Sequence, residues 1–240
     1  MNPTPVVFIH GAWLHASSWE SWNERFSSFG FAARAPGWPG EPATVGEARR
    51  HPETLHELGL DALTDHYARI VRSFDTPPVI VGHSVGGLIA QHLLGTNAGS
   101  AAVAIAPAPA PGERWPVSMD AGTFRRLFAN AVTEQESAEL FERHVVPGSP
   151  RLLAELGGGG AVQGVDHGNT GRGPLLLISG QEDRLVPDHV TRAVYKLYGD
   201  STAVSSLKQF PDRAHSLVVD SGWRAVADYV LVWLAERGIR

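Results

Sequence analysis

Short apolar runs alternate with stretches of helical periodicity along most of the chain. The apolar runs lie at 6–9, 29–35, 79–81, 101–106, 174–179 and 204–210. Apolar residues at helical spacing indicate helices at about 18–28, 60–74, 85–94, 188–197 and 221–236. Because strands that are buried on both faces read as continuous apolar runs, this alternation predicts an α/β fold, a mostly parallel sheet with helices on both faces.

The alternation stops between residues 107 and 172. This stretch contains prolines after the run at 101–106, helical pieces around 121–132 and 134–144, and a glycine run at 157–160. Since long excursions from a regular fold are usually functional, we predict a helical cap, or lid, at 107–172, inserted into a core of residues 1–106 and 173–240. The polar stretch 41–58 is predicted to be irregular.

Composition narrows the class of protein. Of the 240 residues, 43% are hydrophobic and 19% are charged, so the chain can bury a full core. The net charge is −5 with scattered basic residues, which argues against nucleic-acid binding. The absence of cysteine excludes disulfides, thiolate metal sites and a cysteine nucleophile. No apolar run reaches the roughly 18 residues of a membrane span, and no basic segment of a signal peptide precedes 6–9, so we expect a cytoplasmic protein.

The run at 79–81 leads into Gly82-His83-Ser84-Val85-Gly86, a G-x-S-x-G sequence that a helix-compatible segment follows. A strand, a sharp turn and a helix in this order form a nucleophile elbow, which holds a serine hydroxyl open to a pocket. Glycines on either side remove Cβ atoms that would collide with neighbouring backbone in such a turn. A chance match in a glycine-rich protein is the alternative, but the motif occurs once and in this context. Ser84 is therefore the predicted nucleophile.

A serine hydroxyl needs a base, itself oriented by an acid, to act as a nucleophile at neutral pH. Asp183 is the predicted acid because it lies in a turn beyond a buried strand. The alternatives are that Asp183 is a structural turn residue, or that Glu182 is the acid. His215 is the predicted base because it follows the last strand, and the chain order serine, acid, histidine accompanies this elbow. The ten other histidines are interpreted as packing, surface or pocket-lining residues.

The tetrahedral intermediate of such a reaction needs two backbone N–H groups directed at its oxyanion. Val85 follows the nucleophile at the positive end of a helix and is the first predicted donor. The second is expected in the loop after the first strand, where Ala12 is preferred to Trp13 and Gly11 lets the backbone approach closely. All these segments follow strand ends, so a parallel sheet brings them to one edge.

Metal and cofactor motifs do not appear in the sequence. His51 and His56 are five residues apart, which is the wrong spacing for two ligands on one helix face, and no HExxH motif occurs. There is no Walker loop or dinucleotide fingerprint, and the glycine run at 157–160 follows no strand, so we interpret it as flexible lid rather than a phosphate site. We expect no metal and no cofactor, and a small-molecule substrate as the partner; the sequence does not determine the oligomeric state.

Four motifs together make the chain resemble the α/β-hydrolase superfamily over nearly its whole length. They are HGAW at 10–13, GHSVGG at 82–87, SGQEDRLVP at 179–187 and DRAHS at 212–216. The first motif is similar to that of methylesterases and hydroxynitrile lyases, whereas the body resembles short bacterial esterases and lysophospholipase-like hydrolases. The resemblance implies a Ser84–Asp183–His215 triad, an oxyanion hole and a cap. The family's D-x-x-G-x-G loop is replaced here by residues 35–40, which alters the pocket.

The leading hypothesis is a serine hydrolase that cleaves a carboxylic ester, lactone or thioester of a small to medium apolar molecule through an acyl-Ser84 intermediate. Aromatic residues that could line its pocket, or serve only as core or lid packing, are Trp13, Trp38, Trp115, Phe124 and Phe128. One alternative is a lyase, eliminase or cyclase of natural-product tailoring that uses Ser84 and His215 as acid and base. A less favoured alternative is a receptor-like protein that binds its ligand without turnover.

Overall fold

A six-stranded parallel sheet forms the centre of the molecule. The computed structural model describes residues 3–108, 115–116, 118–158 and 164–240. The strands are β1 Pro5–Ile9, β2 Ala32–Arg34, β3 Val79–His83, β4 Ala101–Ile105, β5 Leu175–Gly180 and β6 Ser205–Phe210. They lie in the order β2-β1-β3-β4-β5-β6, and all neighbouring pairs are parallel. The predicted α/β fold with a parallel sheet is confirmed.

Helices connect the strands, as the periodicity predicts. Those in the described residues are α1 Glu20–Ser28, α2 Val45–Arg50, α3 Leu60–Arg72, α4 Val85–Gly95, α5 Ala121–Thr123, α6 Glu134–His144, α7 Pro150–Gly157, α8 Asp188–Leu197 and α9 Trp223–Ala235. Single turns of 3-10 helix occupy Ala16–Trp19, Pro52–Leu55 and His215–Val218, and one turn of π-helix occupies Phe124–Phe128. The helices α3, α4, α8 and α9 begin and end within two residues of the predicted bounds.

Two short helices correct the sequence analysis. The stretch 41–58 was predicted to be irregular, but it contains α2, whose first turn Thr44 caps by accepting the N–H of Glu47 at 3.2 Å. Helix α7 was not predicted, although Ser149 caps it and a proline occupies its first position. Both helices span about two turns, which is too short for apolar periodicity to show. Their caps were the signal that the sequence carried.

The densest packing surrounds the central strands and α4. Every residue of β1, β3 and β4 is buried, and all of α4 except His92 is buried. A helix that is apolar all round belongs inside a protein, and α4 lies directly behind the sheet next to β3 and β4. Phe8 of β1 packs on Trp19 and Phe26, with ring centroids 5.0 and 5.2 Å apart. Each large side chain buried in this way contributes about 1.5–3 kcal/mol, so the core holds the strand ends rigidly.

The segment between β4 and β5, residues 107–172, contains α5, α6 and α7, and we refer to it as the helical insertion. Its backbone pairs with the loop that follows β1. Leu14 and Val145 form an antiparallel bridge, and the N–H of Val146 donates to the carbonyl of Trp13 at 2.9 Å. Part of the glycine run at 157–160 lies outside the described residues. The helical insertion therefore lies against one of the segments predicted to form the site.

Candidate active site

The predicted site segments share the carboxyl edge of the sheet. Ser84 follows β3, the loop with Ala12 follows β1, Asp183 follows β5 and His215 follows β6. Because all these strands are parallel, their carboxyl ends point the same way. This edge is where ligands bind in open α/β sheets.

Ser84 occupies a strained turn between β3 and α4. Its φ is 55° and its ψ is −116°, a region that non-glycine residues adopt rarely and that clusters at functional sites. A Cβ at Gly82 would collide with the carbonyl of Gly86, and a Cβ at Gly86 would collide with the carbonyl of Ile9. The Ser84 N–H donates to the Ile105 carbonyl at 2.9 Å, which fastens the turn to β4. The two glycines thus make the turn possible.

The loop after β1 lies directly against Ser84. A Cβ at Gly11 would lie 2.6 Å from the Cβ of Ser84 and 3.3 Å from its Oγ. The residue that follows, Ala12, is buried, as is Val85 at the first position of α4. The N–H of Val85 is one of the first four of a helix, which have no intrahelical acceptor. Both predicted oxyanion donors are therefore on segments that adjoin the Ser84 turn.

Asp183 and His215 form a buried hydrogen bond. The Nδ1 of His215 lies 2.7 Å from the Oδ2 of Asp183, and both side chains are 0% exposed. The Oδ1 of Asp183 accepts the backbone N–H groups of Leu185 and Val186 at 2.9 and 2.8 Å. These donors stabilise the carboxylate, which in turn makes Nδ1 the donor and leaves Nε2 to accept a proton. The alternative acid, Glu182, is exposed.

No hydrogen bond joins Ser84 to His215. Within the described residues, both the Oγ of Ser84 and the Nε2 of His215 are buried without a hydrogen-bond partner. Catalytic hydrogen bonds are often long in ligand-free structures and shorten when a substrate is bound. A buried polar atom without a hydrogen bond costs free energy. The structure thus pairs Asp183 with His215, while the link to Ser84 is not formed.

His83 supports the backbone of His215. Its ring centroid is 4.5 Å from that of His215, and its Nε2 lies 3.0 Å from the His215 carbonyl, to which it donates. Burial, and then the nearby His215, hold the pKa of His83 well below its usual range. His83 is therefore neutral, which suits a fixed hydrogen-bond donor to the backbone of His215.

Side chains of the helical insertion cover His215. The edge of the Phe128 ring meets the His215 ring at a centroid distance of 4.7 Å, and Phe128 also stacks on Phe124 at 4.8 Å. Asn130 donates its side-chain amide to the carbonyl of Glu182 at 2.7 Å. This contact ties the helical insertion to the turn that carries the predicted acid. Phe128 comes from the π-helical turn, and such turns are frequent at functional sites.

The remaining aromatic candidates have separate positions. Trp13, which has a φ of 62°, stacks on Trp115 of the helical insertion at 5.5 Å. Trp38 instead stacks on the ring of His10 at 4.7 Å. Together with the cover over His215, this packing leaves Ser84 1% exposed.

Sequence reasoning did not single out Glu41. Its side chain is 3% exposed, and its Oε1 lies 3.1 Å from the Nε2 of His10, at the start of the loop that contains Ala12. The glutamate belongs to a proline- and glycine-rich loop with no periodicity, and its partner is 31 positions earlier in the chain. The pattern alone therefore carries no signal for this pair.

Metal-binding clusters and membrane-spanning helices are both absent from the part of the chain that the structure describes. No group of three or more His, Cys, Asp or Glu side chains in that part of the chain is arranged to hold a metal ion. Nor does any helix among the described residues combine the length and the apolar character needed to cross a membrane.

Comparison with protein families finds one match that covers most of the chain. The model of the alpha/beta hydrolase family matches residues 6–229. A search of curated proteins by sequence finds no significant match.

Several solved structures have a similar fold to this chain at low sequence identity. The methylesterase MES16 from Arabidopsis is 18% identical, with a TM-score of 0.68 over 97% of this chain and 99% of that one. A monoacylglycerol lipase from Paleococcus ferrophilus is 20% identical, with a TM-score of 0.73 over 98% and 96%. A pyrethroid hydrolase from Sphingobium faniae is 16% identical, with a TM-score of 0.63 over 96% of each chain. At these identities the likeness establishes the fold.

Proposed function

This chain belongs to the alpha/beta hydrolase family, and from that premise we propose that it is a serine hydrolase that forms an acyl-Ser84 intermediate. The substrate is a carboxylic ester, lactone or thioester of a small to medium apolar molecule. The observation that carries the proposal is the buried bond between Asp183 and His215, 2.7 Å long, at the sheet edge where Ser84 occupies a strained turn. Structural neighbours named as a methylesterase and a lipase agree with this class of reaction.

In the first half-reaction, the Nε2 of His215 takes the proton of the Ser84 hydroxyl. The Oγ bonds to the substrate carbonyl carbon, and the π electrons of the carbonyl move to its oxygen. The N–H groups of Ala12 and Val85 stabilise this oxyanion. The tetrahedral intermediate then expels the alcohol or thiol, which leaves with the proton from His215, and an acyl-Ser84 ester remains.

In the second half-reaction, water attacks the acyl-Ser84 ester while the Nε2 of His215 takes its proton. The second tetrahedral intermediate releases the carboxylic acid and returns the proton to Ser84. Asp183 keeps the imidazole in one tautomer and stabilises the imidazolium in both halves. Apart from the substrate and this one water molecule, no group outside the protein is needed to balance the reaction.

The burial of Ser84 suggests how the substrate is selected. The helical insertion closes the site with aromatic side chains, so we propose that it acts as a cap over the core. When it shifts, Phe128, Phe124 and Trp115 present apolar surfaces to the substrate. An apolar acyl or alcohol group gains binding free energy there at about 25 cal/mol per Å² of buried area.

The test is release of p-nitrophenol from acetyl, butyryl and octanoyl esters by the wild type, Ser84→Ala and Ser27→Ala. Ser27 is an exposed serine and serves as the matched control. We expect Ser84→Ala to lower kcat by at least about 10³-fold, because the nucleophile is lost, and Ser27→Ala to behave as the wild type. Mass spectrometry of the quenched wild type should detect an acyl adduct on Ser84.

The opposite result would point to another reaction. If no ester is turned over and no adduct is trapped in the wild type, the hydrolase proposal is wrong. A lyase, eliminase or cyclase that uses Ser84 and His215 as acid and base would then explain the same geometry without an acyl-enzyme.

A further inference from the structure

Glu41 contacts both ends of the loop that follows β1. Its Oε1 lies 3.1 Å from the Nε2 of His10, the first residue of that loop. Its Oε2 accepts the backbone N–H of Ala16 at 3.3 Å and lies 3.6 Å from the Nε2 of His15. The carboxylate thus spans a loop whose middle contains Ala12, the proposed oxyanion donor.

The loop that carries Glu41 is held firmly. The hydroxyl of Tyr67, in α3, donates to the carbonyl of Pro36 at 2.9 Å. The Nε2 of His66, also in α3, lies 3.1 Å from the carbonyl of Gly37. A Cβ at Gly37 would lie 2.5 Å from the Oε2 of Glu41, so the glycine leaves room for the carboxylate. Glu41 therefore projects from a fixed support.

Glu41 is an ionised group in a buried place. Burial by itself raises the pKa of Glu41, but His10, His15 and the Ala16 N–H together outweigh it, so the pKa lies below its usual value. The Oε1 of Glu41 and the Nε2 of His10 are at ion-pair distance, 3.1 Å apart, but without the geometry of a hydrogen bond. The ring of His10 stacks on the ring of Trp38, with the two centroids 4.7 Å apart, and this stacking fixes the plane of the imidazole.

The other nitrogen of His10 faces the loop backbone. Its Nδ1 lies 3.0 Å from the carbonyl oxygen of Gly11. This contact is a hydrogen bond in which the ring N–H of His10 donates and the carbonyl accepts. The Gly11 carbonyl and the Ala12 N–H belong to one planar trans peptide and point in opposite directions. A donor on the Gly11 carbonyl therefore also orients the Ala12 N–H.

We propose that Glu41 is a positioning residue that acts through His10 to hold the Ala12 N–H in the direction of the oxyanion. No hydrogen bond or ion pair among the described residues joins Glu41 or His10 to Ser84, and the proposed effect is on the Ala12 N–H. The inference rests on the proposed function, because it assigns the oxyanion role to Ala12.

The first experiment requires no substitution. Nitrogen-15 NMR of the wild type at pH 7.5, with histidine signals assigned through the backbone, reports which ring nitrogen of His10 carries a proton. The expected result is a proton on Nδ1, which donates to the Gly11 carbonyl. A ring with no proton on Nδ1 overturns the proposal whatever the kinetics show.

The second experiment measures p-nitrophenyl butyrate hydrolysis by Glu41→Gln, His10→Asn and the double variant, with Glu236→Gln as control. Glu236 has a 67% exposed side chain and lies at the end of α9. We expect each single variant to lower kcat about tenfold, which is less than the 10²–10³ for a deleted oxyanion donor. KM should stay within about twofold, since only the transition state loses a contact. The double variant should be no slower than the single ones, because both act through one path.

Each result has a separate meaning. Unchanged kcat in Glu41→Gln, or additive losses in the double variant, overturns the positioning role. A lowered melting temperature with normal kcat shows that the cluster only stabilises the fold. An inert wild type means that the proposed function has failed, and the NMR result on His10 then stands apart from it. If Glu41→Gln does not fold, His10→Asn and the wild-type spectrum still decide.

Discussion

At the scale of single residues, three glycines let the segments around Ser84 approach one another. Gly82 and Gly86 sit where a Cβ would strike neighbouring carbonyl groups, and Gly11 sits against the Ser84 side chain. The serine itself has a φ of 55°, which costs of order 1–3 kcal/mol. The packing of the surrounding core and the hydrogen bond from the Ser84 N–H to the Ile105 carbonyl of β4 maintain this conformation. The position of the hydroxyl is thus determined by backbone packing.

Substitution of Gly11 by alanine tests this dependence. The new Cβ would lie 2.6 Å from the Cβ of Ser84, so the serine or the loop must move. A shift of about 1 Å in a reacting group can cost about 10²-fold in rate, and we expect kcat/KM for p-nitrophenyl butyrate to fall by about that factor. Gly157→Ala is the control, because nothing lies within 4 Å of a Cβ at that position. A Gly11→Ala enzyme with wild-type rates would contradict the packing argument.

At the scale of elements, the helical insertion is joined to the loops that carry the predicted acid and base. Asn130 holds the carbonyl of Glu182, and the carboxylate of Glu136 in α6 accepts the N–H of Ser221 at 2.6 Å. Phe128 covers the imidazole of His215. A few contacts therefore hold the helical insertion against these loops.

Phe128→Ala should widen the site and weaken the fold. The side chain is 1% exposed, and Phe→Ala in a core costs about 3–5 kcal/mol in the free energy of unfolding. With the ring gone, the ratio of kcat/KM for octanoyl over acetyl esters should rise, because a longer chain fits beside His215. Urea unfolding and ester kinetics measure the two effects. The matched truncation is Phe29→Ala, since Phe29 is 55% exposed and outside the helical insertion; an equal change in ratio for both variants would refute the covering role of Phe128.

At the scale of the whole molecule, buried histidines link stability to pH. Burial, and then Arg143, lowers the pKa of His144 at the end of α6 from 6.5 to about 4. Burial also lowers the pKa values of His83 and His167. These histidines are neutral in the folded protein, and the unfolded chain binds protons more readily than the native state does below pH 6.5. Asp220 acts in the opposite direction, because burial raises its pKa.

The stability of the protein should therefore fall as the pH is lowered from 7 to 5. In this window the unfolded state protonates at the position of His144 while the folded state, with a pKa of about 4, does not. The linked loss is about 1–2 kcal/mol for this residue. Urea unfolding at pH 7, 6 and 5 should show a shallower pH dependence in His144→Gln, whereas His189→Gln, at an exposed histidine, should match the wild type. Identical pH dependence in all three would rule out His144 as a contributor.

The local pattern of the sequence was sufficient to predict the parallel sheet and the turn that holds Ser84. Apolar runs report strands that are buried on both faces, and the spacing of Gly82 and Gly86 around Ser84 reports a turn that only glycines permit. These features depend on neighbours within a few positions along the chain. The short helices α2 and α7 were not predicted because two turns hold too few apolar positions for a periodicity to show, although Thr44 and Ser149 cap their first turns.

Contacts between distant segments were decided only by the tertiary structure. The choice of Asp183 over Glu182 as the partner of His215 follows from which carboxylate turns inward. Phe128 reaches His215 because the helical insertion folds back over the sheet edge. Glu41 meets His10 because the loops after β1 and β2, neighbouring strands, lie side by side. The sequence by itself determines which residues follow the strand ends, but packing through space determines which of them touch.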